Sequence, residues 1–492
     1  MKKIVRLTLI VIILSFCSFI TMYAQQTPEK GLRFISTDTV LVKIFDWAKK
    51  QALCYKGSSL DPVGSWYESA LPPREAFCMR DVSHQCIGAE ILNLTSENKN
   101  MFMLFAKNIS ENKDWCTFWE INRYNKPCPD DNRNDKEFWY NLPSNFDIVY
   151  ACWRLYLWTG DITYLNDPIL LNFYQRTTNE YIKKWHLEPE SLLVREPHLN
   201  IPSPYNSADP YHRSRGLSSY NEGVQDLVMG VDLVASIYRG LLSYSSILQA
   251  NGNTGQSKEV KIKARAYLKH LDNFWWDSKS ETYYTYYTKD HRFGRNEIEN
   301  TFLLWFNAIN DTIRKNKTIN RLNNVDYNWF NIEGLSYLPL AMYEQNYSDV
   351  AYYYLKRLSD SKTKRREYPE VSFAVIEAIV RGIMGIDPNA VTGTISTLHR
   401  SSTLETSEIR NLTVLGTTID VSHFGNSKST ILNKGNKPIK WHPMFMGDRK
   451  KLFFNNKRLN SWKIIDSRGN SIVYTEVTVA PGEKITVSTT PN

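Results

Sequence analysis

The chain has 492 residues, 42% of them hydrophobic and 13% aromatic, with a formal net charge of +9. That is enough apolar material for one large core, or for a large domain with a smaller companion, and it excludes a disordered or low-complexity chain. Basic residues are scattered, with "KTKRRE" the one run, which argues against a nucleic-acid-binding stripe.

The first residues read as an export signal. "MKKIVR" is a basic start, Leu7 to Met22 is apolar, and a cleavage point follows Ala24 in "TMYAQQ". The apolar run is short for a membrane span, which needs about 20 residues. Cys17 would anchor a lipoprotein, but bulky Phe16 stands where a small residue is expected, so anchoring is the lesser reading. Removing residues 1–24 takes away Lys2, Lys3 and Arg6 and no acidic residue, so the charge falls from +9 to +6. The expected location is the periplasm or the exterior. Cys54, Cys78, Cys86, Cys116, Cys128 and Cys152 remain, with no CxxC spacing among them. Buried free thiols are expected; a bridge would be sought first between Cys116 and Cys128, which flank a loop.

From residue 39 to about 386, apolar residues recur at three- and four-residue spacing. Eleven segments read as helices, from "TVLVKIFDWAKKQAL" to "VSFAVIEAIVRGIMGI", with room for a twelfth between 110 and 145. Several are apolar round much of their circumference, as in helices packed on more than one side. Residues 115–145 and 195–223 form long loops rich in aromatics, Pro and Asn, and long loops in compact domains often carry function. "SETYYTYYTKDHRF" alternates like an inserted hairpin. Near residue 390 the period changes to two, and about 100 residues read as antiparallel β. The expected fold is mainly α: an (α/α)6 barrel over 25–388 with an appended C-terminal antiparallel β-sandwich over 389–492. An α-solenoid has the same periodicity.

"FCMRDVSHQ" (77–85) sets Arg80, Asp81, His84 and Gln85 among apolar neighbours, at the start of a helix. A cap with a structural ion pair would explain Asp81 and Arg80 alone. A cluster gripping sugar hydroxyls explains all four, because sugars need dense, bidentate donors and acceptors. "PREAFCMRDVSHQ", the twelve-helix rhythm, "FWWDSKSETYYTYY" and the β tail together resemble the six-hairpin glycoside hydrolases, the glucoamylase-, trehalase- and rhamnosidase-like enzymes. The resemblance implies an exported, polysaccharide-degrading enzyme in which the Arg–Asp pair binds sugar and two carboxyl groups work by inversion. Lyases and epimerases share this fold, and a glycan-binding protein without turnover is a further alternative.

Glycoside hydrolysis needs two carboxyl groups flanking the scissile bond. Glu222, at the end of the longest polar loop and reading as the start of a strong helix, is the leading general acid. Glu370, after Pro369 at the last barrel helix, is the candidate base, with Glu297, Glu299 and Glu333 competing. Each also fits a simple helix-start role. Glu377 reads as lying along a helix shaft. Trp66, Tyr67, Trp139, Tyr140 and Tyr220 are candidates for stacking on sugar, whereas Trp275 and Trp276 read as packing. Asp130, Asp131 and Asp135 read as solvated loop acids near the lip of a cleft. No metal or cofactor motif is present, and the expected partner is an oligosaccharide or polysaccharide, with no nucleic acid and no stable membrane span. The basic balance and the loop "REPH…HRSRG" lean towards a uronic acid.

Overall fold

The computed structural model describes residues 31–69, 74–296, 300–324, 331–401, 405–449 and 451–491. The export signal and residues 297–299, with both Glu297 and Glu299, lie outside the described residues.

Twelve α-helices of six residues or more occur among the described residues: α1 Thr39–Cys54, α2 Met79–Ile91, α3 Thr95–Lys107, α4 Pro143–Thr159, α5 Pro168–Arg176, α6 Val231–Ala250, α7 Thr254–Phe274, α8 Asn300–Trp305, α9 Thr312–Asn324, α10 Ile332–Glu344, α11 Ser348–Ser359 and α12 Pro369–Glu377. The even-numbered helices touch in a closed cycle, α2 to α4, α6, α8, α10, α12 and back to α2. They are apolar round most of their circumference; α10, for example, buries every residue from Ile332 to Tyr343. The odd-numbered helices lie outside them with single buried stripes, as in α7, where Val260, Ala264, Tyr267 and Leu271 recur at helical spacing.

Two expectations need correction. The region 110–145 holds no long helix; it carries a single turn, Glu111–Lys113, and two short strands, Glu120–Asn122 and Tyr140–Asn141. The twelfth helix is instead α9, "TIRKNKTINRLNN", which buries only Thr318, Ile319 and Leu322. So narrow a stripe leaves almost no periodic signal. Helix accounts for 42% and strand for 21%, so the chain is mixed rather than mainly α.

The β part consists of two sheets. Thr397 of the six-stranded sheet meets Ser429 of the seven-stranded one, Oγ1 to Oγ 3.3 Å, and Trp441 Nε1 donates to the same Thr397 Oγ1 at 3.0 Å. Along Thr417–Phe424 the buried residues are Thr417, Ile419, Val421 and His423, the period of two read from the sequence. One pair departs from the antiparallel expectation: Thr394–Leu398 runs parallel to Ile439–Met446. Residues Arg33–Ser36, far from the C-terminus, supply an edge strand by pairing with Thr406–Val414. One large apolar core runs through helices and sheets, from Leu32 to Val487. The inserted hairpin is present as Tyr286–Thr288 against Phe293–Gly294, and it joins Leu227–Gly230 in a three-stranded sheet. No helix among the described residues is long and apolar enough to cross a membrane.

Candidate active site

The N-terminal ends of α2, α8 and α10, with Tyr368 just before α12, line one cavity of about 550 Å³. α2, α6, α10 and α12 each carry an acid in their first turn: Asp81, Asp232, Glu333 and Glu370. Helix N-termini carry partial positive charge and favour carboxylates. Several such ends brought together gather acids in one place.

Arg80 and Asp81 both line the cavity, with Arg80 Nε 3.2 Å from Asp81 Oδ1. The Arg80 guanidinium also sits 4.9 Å from the centre of the Tyr220 ring. Burial raises the Asp81 pKa, opposed by the neighbouring Arg80 charge. Glu370 lies behind this pair, fully buried and absent from the cavity wall. Burial first, then the Asp81 carboxyl, push Glu370 well above the usual carboxylate range. The structure thus does not bring Glu370, expected as the general base, onto the cavity wall.

Glu222 is on the wall. It stands in a turn, not at a helix start: Leu227–Gly230 forms a strand and α6 begins only at Val231. Its surface is open to the cavity, yet the surrounding walls raise its pKa by burial; Arg80 and a hydrogen bond from Asn141 oppose this, and Asp131 and Glu333 reinforce it. Arg80, Asp131, Glu222 and Glu333 thus share one electrostatic environment. Glu333 opens α10, whose N-cap is Asn331, with Asn331 Oδ1 accepting from Gly334 N at 2.7 Å. Arg365 Nη2 approaches Glu333 Oε1 at 3.2 Å.

Tyr220 ties the loop bearing Glu222 to the ring. Its phenol donates to Asp147 of α4, and its amide donates to Asp232 Oδ2 of α6 at 2.6 Å. Burial lifts the Asp147 carboxyl to about 7 and the Asp232 carboxyl to about 6. Sequence reading did not single out either aspartate.

Trp119 and Trp139 also line the cavity, with Glu120 and Asp131. Arg74 Nη1 bonds both acids, at 2.9 Å to Glu120 and 3.0 Å to Asp131. Burial and then the Asp131 charge push Glu120 up to about 9, with Arg74 opposing. Glu120, Cys128 and Asp131 offer ligand atoms within 4.8 Å of one another, a spacing that fits a metal ion, but the Arg74 guanidinium already supplies the positive charge there.

The remaining sequence candidates lie elsewhere. His84 and Gln85 are one turn deeper along α2, where each residue descends about 1.5 Å, and neither lines the cavity. His84 stacks on Tyr337 at 3.6 Å and its Nε2 meets Ser336 Oγ at 3.0 Å. Trp66 is buried, donating to Asp61 Oδ2 at 2.7 Å, and Tyr67 is buried, donating to Asn98 Oδ1 at 2.7 Å. Tyr140 points into the core and bonds Asn145, whereas its neighbour Trp139 faces the cavity. Successive residues of an extended segment point to opposite sides. Asp130 and Asp135 are exposed and off the wall, and Glu377 is buried along α12 in a pair with Arg154. Trp275 is packed as expected. All six cysteines are free, Cys54 exposed and the others buried, so Cys116 and Cys128 are not bridged. Arg365 escaped notice because it sits in the "KTKRRE" run, which reads as solvated charge.

Ring and sheets together resemble the fold of solved helical-barrel glycosidases that carry a β domain. Among solved structures, the chain is similar to an α-L-rhamnosidase from Dictyoglumus thermophilum, with TM-score 0.59 and 11% identity over 93% of this chain and 50% of that one. It is also similar to an α-L-rhamnosidase from Aspergillus terreus, with TM-score 0.55 and 10% identity over 92% of this chain and 50% of that one. A human-microbiome protein provisionally described as a kojibiose phosphorylase matches with TM-score 0.54 and 9% identity, over 91% of this chain and 63% of that one. The chain thus spans about half the length of the two rhamnosidases. No protein-family model matches the sequence, and no curated protein does.

Proposed function

We propose that the protein is an exported glycoside hydrolase with an (α/α)6 barrel, removing a terminal sugar from a glycan by inversion. One observation carries this reading: Glu222 and Glu333 meet in a single cavity in different environments. Glu222 is raised towards its protonated form, as a general acid requires, while Glu333 is paired with Arg365 at a helix N-terminus. Glu222 would protonate the glycosidic oxygen, and Glu333 would take a proton from the attacking water. Inversion needs the two carboxyls about 6.5–9.5 Å apart, leaving space for that water. Arg80 and Asp81 would hold sugar hydroxyls, with Trp119 and Trp139 against the ring face.

The wall favours a neutral sugar over a uronic acid. Its three guanidiniums, Arg74, Arg80 and Arg365, are each paired with a carboxyl. The charge of each is thus already offset by a protein carboxyl.

The rhamnosidases and the kojibiose phosphorylase among the similar structures supply test substrates. The mature protein is incubated with rutinose, kojibiose and 4-nitrophenyl β-D-glucuronide, and products are followed by proton NMR, which also reports the anomer first released. Glu222→Gln is expected to lower kcat on the unactivated disaccharide by at least about a hundredfold. Undiminished turnover in that variant removes Glu222 as the acid. On a 4-linked polyuronide offered alongside, release of an unsaturated uronide absorbing in the ultraviolet would point to a lyase instead.

A further inference from the structure

Beside the cavity lies a second hollow, an open groove of about 560 Å³. One side is Gly223–Asp226, the residues directly after Glu222; the other is the hairpin Tyr286–Gly294. The two hollows share both connecting segments. Glu222 is on the cavity wall and Gly223 in the groove; Asn296 is on the cavity wall and Gly294 in the groove. A molecule leaving the cavity past Glu222 therefore enters the groove.

Tyr286 and Gly294 are cross-strand partners. A Cβ built on Gly294 would lie 2.1 Å from the Tyr286 ring, so the ring rests across the glycine and only a missing side chain admits it. Tyr286 is half-buried and lines the groove. The other ring face is then available to a flat partner, and Asp290, Arg292 and Thr288 on the same hairpin provide polar groups around it. An aromatic face ringed by hydrogen-bonding groups suits a pyranose, whose C–H faces are apolar and whose rim is hydroxylated.

We infer that this groove binds the leaving-group side of the glycan, with Tyr286 as the platform for the first sugar beyond the scissile bond. The direction follows from the acid and rests on the reading of Glu222 above. A general acid must touch the glycosidic oxygen, so what lies on the outward side of Glu222 is the departing saccharide, and the terminal sugar occupies the enclosed cavity. The preferred substrate is consequently a glycoside whose leaving group is itself a sugar.

The test compares kcat/KM for rutinose with that for 4-nitrophenyl α-L-rhamnoside, and kcat/KM for kojibiose with that for 4-nitrophenyl α-D-glucoside, in wild type, Tyr286→Ala and Tyr286→Phe. In the pair that is turned over, Tyr286→Ala should cut the disaccharide-to-aryl ratio roughly tenfold, the size of one lost stacking contact, while Tyr286→Phe keeps it. A hairpin merely loosened by the substitution would lower both rates and leave the ratio in place, and that outcome overturns the groove assignment. Turnover of neither pair by the wild type would instead remove the glycosidase reading, and the groove's role with it.

Discussion

Asp147 offers the sharpest physical test of the loop that carries Glu222. It accepts the Tyr220 phenol through Oδ2, and its Oδ1 is buried without a hydrogen-bond donor. Burial is the largest influence on its pKa; Tyr220 and Arg80 pull it down, Asp232 pushes it up, and it settles at about 7 against an ordinary 3.8. A carboxyl raised on folding binds its proton more tightly in the native state. Its contribution is therefore neutral below pH 4, turns against folding as pH climbs from about 4 to 7, and is constant above. Three units at about 1.4 kcal/mol each give roughly 4 kcal/mol as the full penalty at pH 8. Asp147→Asn keeps an acceptor for the phenol and carries no charge at any pH. Its amide meets the same empty position as the protonated acid's hydroxyl, so that cost is common to both proteins. The stability difference between variant and wild type should thus move in the variant's favour by about 3 kcal/mol between pH 4.5 and pH 8, since part of the penalty has already developed at pH 4.5. Urea unfolding at the two pH values, for both proteins, measures it. A difference that stays constant across that range would show that Asp147 titrates as an ordinary surface carboxyl and that the clamp is misconceived.

Gly88 of α2 faces the backbone of α12, where a Cβ would come 2.3 Å from the Phe373 carbonyl oxygen. Gly88→Ala gains up to about 1 kcal/mol in helix propensity but forces apart the two helices that close the ring, at about 1–3 kcal/mol, so it should lower the melting temperature; a higher one would refute the close packing. Cys54 is the exposed thiol among six free ones. A thiol-reactive aromatic disulfide should label one group quickly in the native protein and the rest only in denaturant, and Cys54→Ser should abolish the fast phase; a native protein with several fast thiols, or denatured protein short of thiols, would contradict the assignment.

The alternation of helix and loop was legible because the inner helices bury nearly every face and the outer ones mostly keep a strong stripe; α9 failed for want of one. "VQDLVMGVDL" misled for a different reason. Its apolar residues run straight on into α6, and only the pairing of Leu227–Gly230 with the 286–288 strand makes those four residues extended. That pairing is a long-range contact with no local trace. Among the aromatics, Trp139 and Tyr140 are chemically interchangeable candidates until the extended backbone sends one to the cavity and the other to the core. His84 and Gln85 share the helix of Asp81, but depth along the axis, which the sequence does not carry, separates the mouth from the interior.

The carboxylates posed the hardest problem, and the cause lies in the ring itself. A first-turn acid is what a helix N-terminus favours for its own stability, so Asp81, Asp232, Glu333 and Glu370 each look like dipole partners when taken singly. Because the ring turns those N-termini towards one rim, residues that satisfy a local rule become neighbours, and crowded carboxyls raise one another's pKa. Asp81 adds to the rise of Glu370, and Asp131 to that of Glu120 on its short strand, each pair beside an arginine. The same crowding, through Asp131 and Glu333, helps to raise Glu222, which stands on a loop and owes nothing to a helix end. A carboxyl with an elevated pKa therefore needs no dedicated partner here: it arises wherever a loop acid is lowered into a rim already lined with carboxylates.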